Sequence, residues 1–421
     1  MKMTVGIFLV LAVFMGTVGF SSWLLLSFRH LRRHYERSFP GTPSPEFWPK
    51  AAIILCVRGK DPFLATCIRN LLAQQYQDFS IHIIIDSPGD PGWEAINEVR
   101  ESFPHSRLHV SILRHRSPHC SLKNSSIIQA VNDLDDDCDI VAFVDADAIT
   151  QPNWLRELVK PFADPQVGAT TGVRWYSPPD HGFATRVRCW WNLLAASVIY
   201  QAEIPWGGSM AVRRSILASG LIAEWSQMFC EDVHTSRHLK ARGLKVATVP
   251  TATVVNEEQT SLNCCFMFIS RQMLILRLYH ACWWRVVVIV ALAAGVRFLH
   301  LGSVFYTGIA GDWISLLLLL SIYPLAMFPI QSGALRLDRA VRDVMARSGQ
   351  QIAPNPTPRF LECRCAELLF LVSTVNALTT HFVMWRGIRY QIKGPRDINL
   401  LAYRPYVESP EVAITAPVSV V

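Results

Sequence analysis

Charged residues are scarce in this chain: 17% of its 421 residues are Asp, Glu, Lys or Arg, against 51% hydrophobic. That balance excludes an ordinary soluble protein of this length and points to segments that leave water. Zinc-type cysteine spacing is also missing. Among eleven cysteines, Cys264 and Cys265 are adjacent and Cys363 and Cys365 flank one residue, so no C-x-x-C pair exists and reduced, mostly buried thiols are expected. Neither a G-x-x-x-x-G-K-[ST] run nor a strand-coupled G-x-G-x-x-G occurs, which removes the P-loop and the dinucleotide fingerprint. There is no internal repeat, no low-complexity tract and no nucleic-acid-binding motif, so no nucleic-acid partner is expected.

Long apolar runs take the place of charge. Met3 to Leu26 carries no charged residue and can cross a bilayer core of about 30 Å. Its apolar part exceeds a signal-peptide core, and no small-x-small cleavage site precedes the basic cluster, so residues 1–28 read as a retained transmembrane anchor. Residues 29–50, basic and then Pro-rich, read as a juxtamembrane linker. Val286–Leu301, interrupted by Arg297, and Trp313–Ile330 are further candidate spans. Ala366–Trp385 is weaker, with Asn376, several threonines and His381, and reads as re-entrant or interfacial. A membrane region of about two or three helices is therefore expected over 281–390, with 391–421 as a tail.

Between these regions, residues 51–280 are long enough for one globular domain with its own core. Lys2 precedes the first span, whereas Arg29, Arg32, Arg33 and Arg37 follow it, so the positive-inside rule puts this domain in the cytosol of an integral protein of the inner, plasma or an endomembrane. Arg336, Arg339, Arg342, Arg347 and Arg359 after the third span fit the same side. The net charge of +7 is thus mostly juxtamembrane and suits anionic lipid headgroups as partners.

Within the domain, strands at Ala51–Val57, "SIHIIID", "RLHVSIL" and "DIVAFVD" alternate with helical patterns at Leu64–Gln75, Trp93–Ser102 and Ser125–Leu134. This alternation predicts an α/β fold with a doubly wound parallel sheet. Beyond it come a helix start at Pro152–Val159, a strand in "VGATTGVRWYS" and a long amphipathic helix in "DHGFATRVRCWWNLLAASVIYQ". A Gly-rich turn and short strand follow in "PWGGSMAVRRSIL", then a helix in "FCEDVHTSRHLKARG" stopped by Gly243, and a final strand pair in "LKVATVPTATVVNE". Ligands of such sheets sit at the carboxyl ends of strands, and Asp86, Asp145 and Asp147 all fall there.

Asp145 and Asp147, two apart at a strand end, face the same way and can jointly reach one hard divalent ion, Mg²⁺ or Mn²⁺. They can equally be a solvated strand terminus. Glu231–Asp232 at a helix start can be dipole partners, or can include a general base. Lys123, at another helix start, is a surface lysine or a phosphate ligand. Taken alone, no one of these groups decides.

Together, an acid after the second strand, D-x-D after the fourth and E-D downstream resemble family 2-like glycosyltransferases of the GT-A fold. The stretches "CVRGKDPFLATCIRNLLAQQYQDFSIHIII", "DHGFATRV", "GGSMAVRRSIL", "CEDVHTSRHLKARGLKVA" and "WRGIRYQIKG" narrow the likeness to families 2 and 21, specifically to ceramide glucosyltransferase and bacterial enzymes that glycosylate hopanoid-type lipids. The resemblance implies a UDP-sugar donor, a membrane lipid acceptor and Mg²⁺ or Mn²⁺. It implies Asp86, with Asp90 nearby, on the nucleotide, Asp145 and Asp147 on the metal and diphosphate, Lys123 on the nucleotide side, and Asp232 as catalytic base beside Glu231.

One departure stands out. The family's R/Q-x-x-R-W corresponds here to "SRQMLILRLYH": Arg271 fills the first position, but Leu274 and Ile275 replace the Arg and Trp. Arg277, one turn after Leu274, or Gln272 with Arg271, is expected to replace the missing cation. A processive polysaccharide synthase and a non-catalytic protein retaining the fold are the alternative readings. Intact D-x-D and E-D weigh against the second.

Overall fold

A computed structural model describes residues 2–38, 47–104, 107–180 and 182–406. The Pro-rich part of the expected linker lies largely outside these residues, as does the tail beyond 406. The first helix, α1 (Lys2–Glu36), does not end at the membrane boundary drawn at residue 28. It runs on through the basic cluster, and buried Tyr35 meets Thr253 Oγ1 at 2.7 Å. The stretch 29–36 is therefore a helix docked on the domain rather than linker. Tyr35 and Leu31, both fully buried, supply the apolar contact that holds it.

The domain begins with β1 (Ala51–Val57), α2 (Leu64–Leu72), β2 (Phe79–Ile85), α3 (Gly92–Ser102), β3 (Leu108–Ile112), α4 (Leu122–Asn132) and β4 (Ile140–Val144). Then follow α5 (Trp154–Val159), β5 (Val167–Thr171), β6 (Arg174–Tyr176), α6 (Phe183–Ala202) and β7 (Ser209–Arg213). Short turns α7 (Arg214–Ile216) and α8 (Ile222–Trp225) lead to α9 (Asp232–Lys240), β8 (Lys245–Thr248) and β9 (Val254–Asn256). Seven strands form one sheet in the order β3-β2-β1-β4-β7-β5-β8. Successive residues of a strand face opposite ways. Ala52 and Ile54 of β1 and Val141 and Phe143 of β4 join one core, while Ile53, Leu55, Ile140 and Ala142 join the other. Burial on both faces explains why these strands read as unbroken apolar runs.

The sheet is not uniformly parallel. β3, β2, β1 and β4 are parallel, but β7 runs antiparallel to both β4 and β5. Val144 pairs with Ser209, so β7 starts at the rim where β4 ends. A strand buried on both faces has the same apolar run in either direction, so its sequence carries no sign of orientation. The strand expected over "VGATTGVRWYS" is broken at Gly172, and β6 leaves to pair with β9 in a separate two-stranded sheet. The expected final strand pair is likewise divided, β8 pairing with β5 and β9 with β6.

The C-terminal part contains α10 (Leu262–Tyr279), α11 (Trp283–Ala310), α12 (Trp313–Arg347) and α13 (Phe360–Thr379). Among the described residues, three helices, α1, α11 and α12, are long and apolar enough to cross a membrane. Arg297, the charge interrupting α11, is paired with Glu367 of α13 at 3.0 Å and lies over the Tyr323 ring at 3.8 Å, so it is not left alone among apolar groups. The chain then forms β10 (Phe382–Trp385), β11 (Ile388–Gly394) and β12 (Asp397–Ala402), a three-stranded antiparallel sheet that crosses the boundary drawn at residue 390. Val383, Ile388, Tyr390, Ile392 and Ile398 belong to the domain's core, and Leu400 N donates to Pro118 O at 2.8 Å. This segment is a docked wall of the domain, not a free tail.

Arg277 of α10 donates to the carbonyls of Leu378 and Thr380, at 2.8 and 3.4 Å, and so caps the end of α13. Arg277→Ala is expected to destabilise the fold by about 1 kcal/mol and leave nucleotide affinity unchanged, as thermal unfolding and nucleotide titration of the detergent-solubilised protein would show.

Candidate active site

The strand ends meet a cavity of about 970 Å³. β4 delivers Asp145 and Asp147 to its rim. Lys123 enters from the first turn of α4, whose Ser121 cap accepts from Asn124 N. A cation is unfavourable at a helix N-terminus. It is held there by two carboxylates, Asp145 and Glu231, each 2.8 Å from Nζ. Arg174, at the start of β6, approaches Asp145 from the other side at 2.7 Å and reaches Asp147 at 3.9 Å. Asn256 donates to Asp147 Oδ2 at 2.6 Å.

The charges control one another. Burial would lower the Lys123 pKa, but Asp145 and Glu231 outweigh it and hold the ammonium well above its usual range. Burial likewise raises the Asp145 carboxyl, yet Lys123 and Arg174 pull it below the ordinary carboxylate value. Asp147, with a weaker share of Arg174, is pushed up by burial and by the neighbouring Asp145 charge. Asp145 and Asp147 are the pair that could hold a hard divalent cation. Among the described residues no group of three or more His, Cys, Asp or Glu side chains is placed to hold a metal. The remaining positions would therefore fall to oxygens of a ligand such as a diphosphate, which suits Mg²⁺ or Mn²⁺.

Opposite this rim, Asp232 is the first residue of α9, where the helix dipole favours an anion. Its Oδ2 accepts from Gly207 N at 3.1 Å and its Oδ1 from Val233 N at 2.6 Å. The turn before β7 must come close to allow this. A Cβ on Gly207 would strike the Glu231 carboxylate, and one on Gly208 the Asp145 carboxylate and the Trp206 ring. The Gly-Gly pair in "PWGG" thus lets backbone pass between Asp145 and the Glu231–Asp232 pair.

Other expected site residues divide. Asp86 lines the cavity, buried, and its carboxylate is engaged by Arg58, by Arg116 at 3.3 Å and by the Tyr403 hydroxyl at 3.1 Å. Arg271 and Gln272 line it too. Asp90 does not: its carboxylate accepts from the amides of Gly59 (2.9 and 3.0 Å) and Gly92 (2.8 Å), so it holds the β1 and β2 loops together. Arg277 is also outside the cavity's lining, its guanidinium committed to α13, so it does not replace the missing family cation. Leu274 and Ile275 are buried in the core.

Several lining groups went unread in the sequence. Arg58 follows β1 at a strand carboxyl end, a position that the strand-end rule should have flagged. Arg174 is the one cation in an apolar run, and its guanidinium lies 4.6 Å from the Trp206 ring centre. Trp385, Arg386 and Tyr390 come from the C-terminal sheet and its first turn, and nothing in their spacing connects them with residues near 60 or 145.

Comparison with known proteins bears on the family and the fold. The model of the family described as "Glycosyl transferase family 21" matches residues 13–398. A hyaluronan synthase of Streptococcus pyogenes is 29% identical over 160 residues, 37% of each chain, so the match spans little more than a third of that relative's length. The structure of a mannosyltransferase from Pyrobaculum calidifontis, in complex with GDP-Man and Mn²⁺, superposes with a TM-score of 0.50. It covers 89% of this chain and 99% of that one at 18% identity, a likeness of fold alone, and that fold is GT-A. With the family match running from the anchor through the acidic cavity to the C-terminal sheet, the chain belongs to glycosyl transferase family 21.

Proposed function

We propose that this glycosyltransferase moves a hexose, of glucose or N-acetylglucosamine type, from a UDP-sugar to the hydroxyl of a membrane lipid of ceramide-like or hopanoid-like form, with inversion. The observation that carries the reading is the mixed lining of the cavity. The charged groups Lys123, Asp145, Asp147, Arg174, Asp232 and Arg271 line it. So do the apolar Val198 and Ile199 of α6, Ile275 and Leu276 of α10, Val286 of α11 and Phe370 of α13. Such a lining suits a charged donor and an apolar acceptor meeting in one site.

A sugar–nucleotide bond breaks with negative charge growing on the departing diphosphate. Lys123, Arg174 and Arg271 face that charge from three elements, and their fixed positions need no reorganisation during reaction. A divalent cation on Asp145 and Asp147, when bound, would add Lewis-acid neutralisation of the same charge. Asp232, oriented by the Gly207 and Val233 amides, would accept the proton of the attacking lipid hydroxyl. A single displacement with the base opposite the leaving group inverts the anomeric carbon.

Membrane parity keeps the C-terminal sheet on the domain's side, and the basic residues after α1 favour the cytosol as that side. If α1, α11 and α12 each cross once, the chain leaves the domain's side and returns to it before β10–β12, which pack on that domain. α13 then stays on the same side, against α6 and α10, and the basic residues after α1 face the anionic cytosolic leaflet. A processive polysaccharide synthase is the second reading, favoured by the hyaluronan synthase relative. The apolar side chains of α6, α10, α11 and α13 in the cavity lining favour a lipid.

Two outcomes are expected. Membranes holding the protein, supplied with radiolabelled UDP-sugar and a lipid extract, should yield a labelled lipid soluble in organic solvent; a labelled polymer would establish the synthase instead. Asp232→Asn should lower transfer by roughly 10²- to 10⁴-fold while nucleotide affinity stays within a few-fold of wild type. Turnover by this variant at the wild-type rate would remove Asp232 from the role of base.

A further inference from the structure

The Arg-Trp pair absent from α10 has a spatial counterpart. Leu274 is fully buried and Ile275 nearly so, and no charged group occupies those positions. Trp385 and Arg386 instead reach the cavity from the turn between β10 and β11. Arg271, the one member of the α10 motif that is retained, lies with its guanidinium carbon 4.6 Å from the Trp385 ring centre. Phe229 meets the same ring edge-on at 5.7 Å, so Trp385 is fixed between an aromatic and a cation.

The turn itself is unusual. Arg386 and Gly387 are its two central residues, with φ of 49° and 77°, both positive as a two-residue type I′ hairpin turn requires. Glycine and asparagine occupy such positions at least cost, and an arginine there carries steric strain. Strain kept at a cavity wall points to a task for the side chain. One edge of the Arg386 guanidinium is held by Asp61 Oδ2 at 2.6 Å, and the Arg386 carbonyl accepts from Arg58 Nε at 2.9 Å. Asp61 lies in the loop after β1 and is itself nearly buried, so the arginine is aimed by the same strand ends that present the acids.

We propose that Arg386, with Arg271 stacked on Trp385, grips the donor diphosphate, so that the C-terminal hairpin supplies the arginine–tryptophan pair that α10 has lost. The inference rests on the reading of the cavity as a nucleotide-sugar site. A planar guanidinium offers five donors; Asp61 takes one, the Arg58 carbonyl weakly takes another at 3.4 Å, and the remaining donors can bind phosphate oxygens in a fork that a lysine cannot reproduce. Trp385 is a positioning residue, setting the angle of Arg271 and closing the wall beside the transferred sugar.

The test separates folding from binding through Arg386→Gly. Glycine suits the left-handed backbone, and this relief offsets the lost Asp61 ion pair, so thermal stability should stay close to wild type. The Kd of UDP should rise about tenfold or more, while that of uridine, which has no phosphate, stays within about twofold. Arg386→Lys should recover only part of the loss, and Trp385→Phe should raise KM for the donor more than it lowers kcat. UDP binding by Arg386→Gly at wild-type strength, or equal weakening for UDP and uridine, would overturn the hairpin's role and leave the cavity assignment intact. Failure of the wild-type protein to bind any of UDP, GDP or ADP would instead overturn the cavity assignment, and the hairpin's role with it.

Discussion

Lys123 between Asp145 and Glu231 is the contact through which the site holds together. Its ammonium joins three elements, α4 carrying the lysine, the end of β4 and the start of α9. Removing one partner from such a buried set leaves a charge uncompensated, at about 3–5 kcal/mol. The network also explains why two acids can stand side by side at a strand end. Lys123 and Arg174 neutralise Asp145 from opposite sides, and what remains of the negative potential falls on Asp147, where a cation bound with a ligand would find it.

The same logic extends outward through the backbone. Glu231 fixes the position of Asp232, the next residue, and the Gly207–Gly208 turn closes on both. Because β7 begins at that turn and pairs with β4, the antiparallel strand ties the acids at the start of α9 to those at the end of β4. An all-parallel sheet would send the strand beside β4 toward this rim at its end, and no glycine turn would enter between the acids. Strand direction and site chemistry are therefore one constraint.

Much of this was readable from residue order. Strands β1 to β4 alternate with helices, and Asp86, Asp145 and Asp147 lie just past strand ends, so the rim and its acids follow from the pattern. Local chemistry marked Asp232 and Lys123 as lying at helix starts, and the family resemblance singled them out as site residues. What escaped has a common physical cause. Asp90 and Arg277 have the right residue type near the right place, but backbone amides and helix-end carbonyls consume their hydrogen-bonding capacity, and such partners leave no trace in side-chain spacing. Arg174, Trp385 and Arg386 reach the cavity through long-range packing, which hydrophobic periodicity does not encode.

The C-terminal sheet joins the membrane region to the chemistry. It follows α11, α12 and α13 in the chain, yet Tyr403 binds Asp86, Arg386 binds Asp61 and Tyr390 accepts from Leu122 N at the start of α4. The cavity wall beside Asp86 and Asp61 is thus completed by residues that come after α11, α12 and α13 in the chain. At the other end, the membrane helices hold the domain directly: Leu31 and Tyr35 of α1 and Val341 and Met345 of α12 pack with Trp175 and Val255 of the β6–β9 sheet. Asp338 of α12 also accepts from Trp175 Nε1 at 3.2 Å, one residue from Arg174. The cation that faces Asp145 is therefore braced by a helix that runs on from the apolar span. In this fold the membrane segments are part of the active-site scaffold as well as its tether, which is why a chain so poor in charge can assemble so concentrated a polar site.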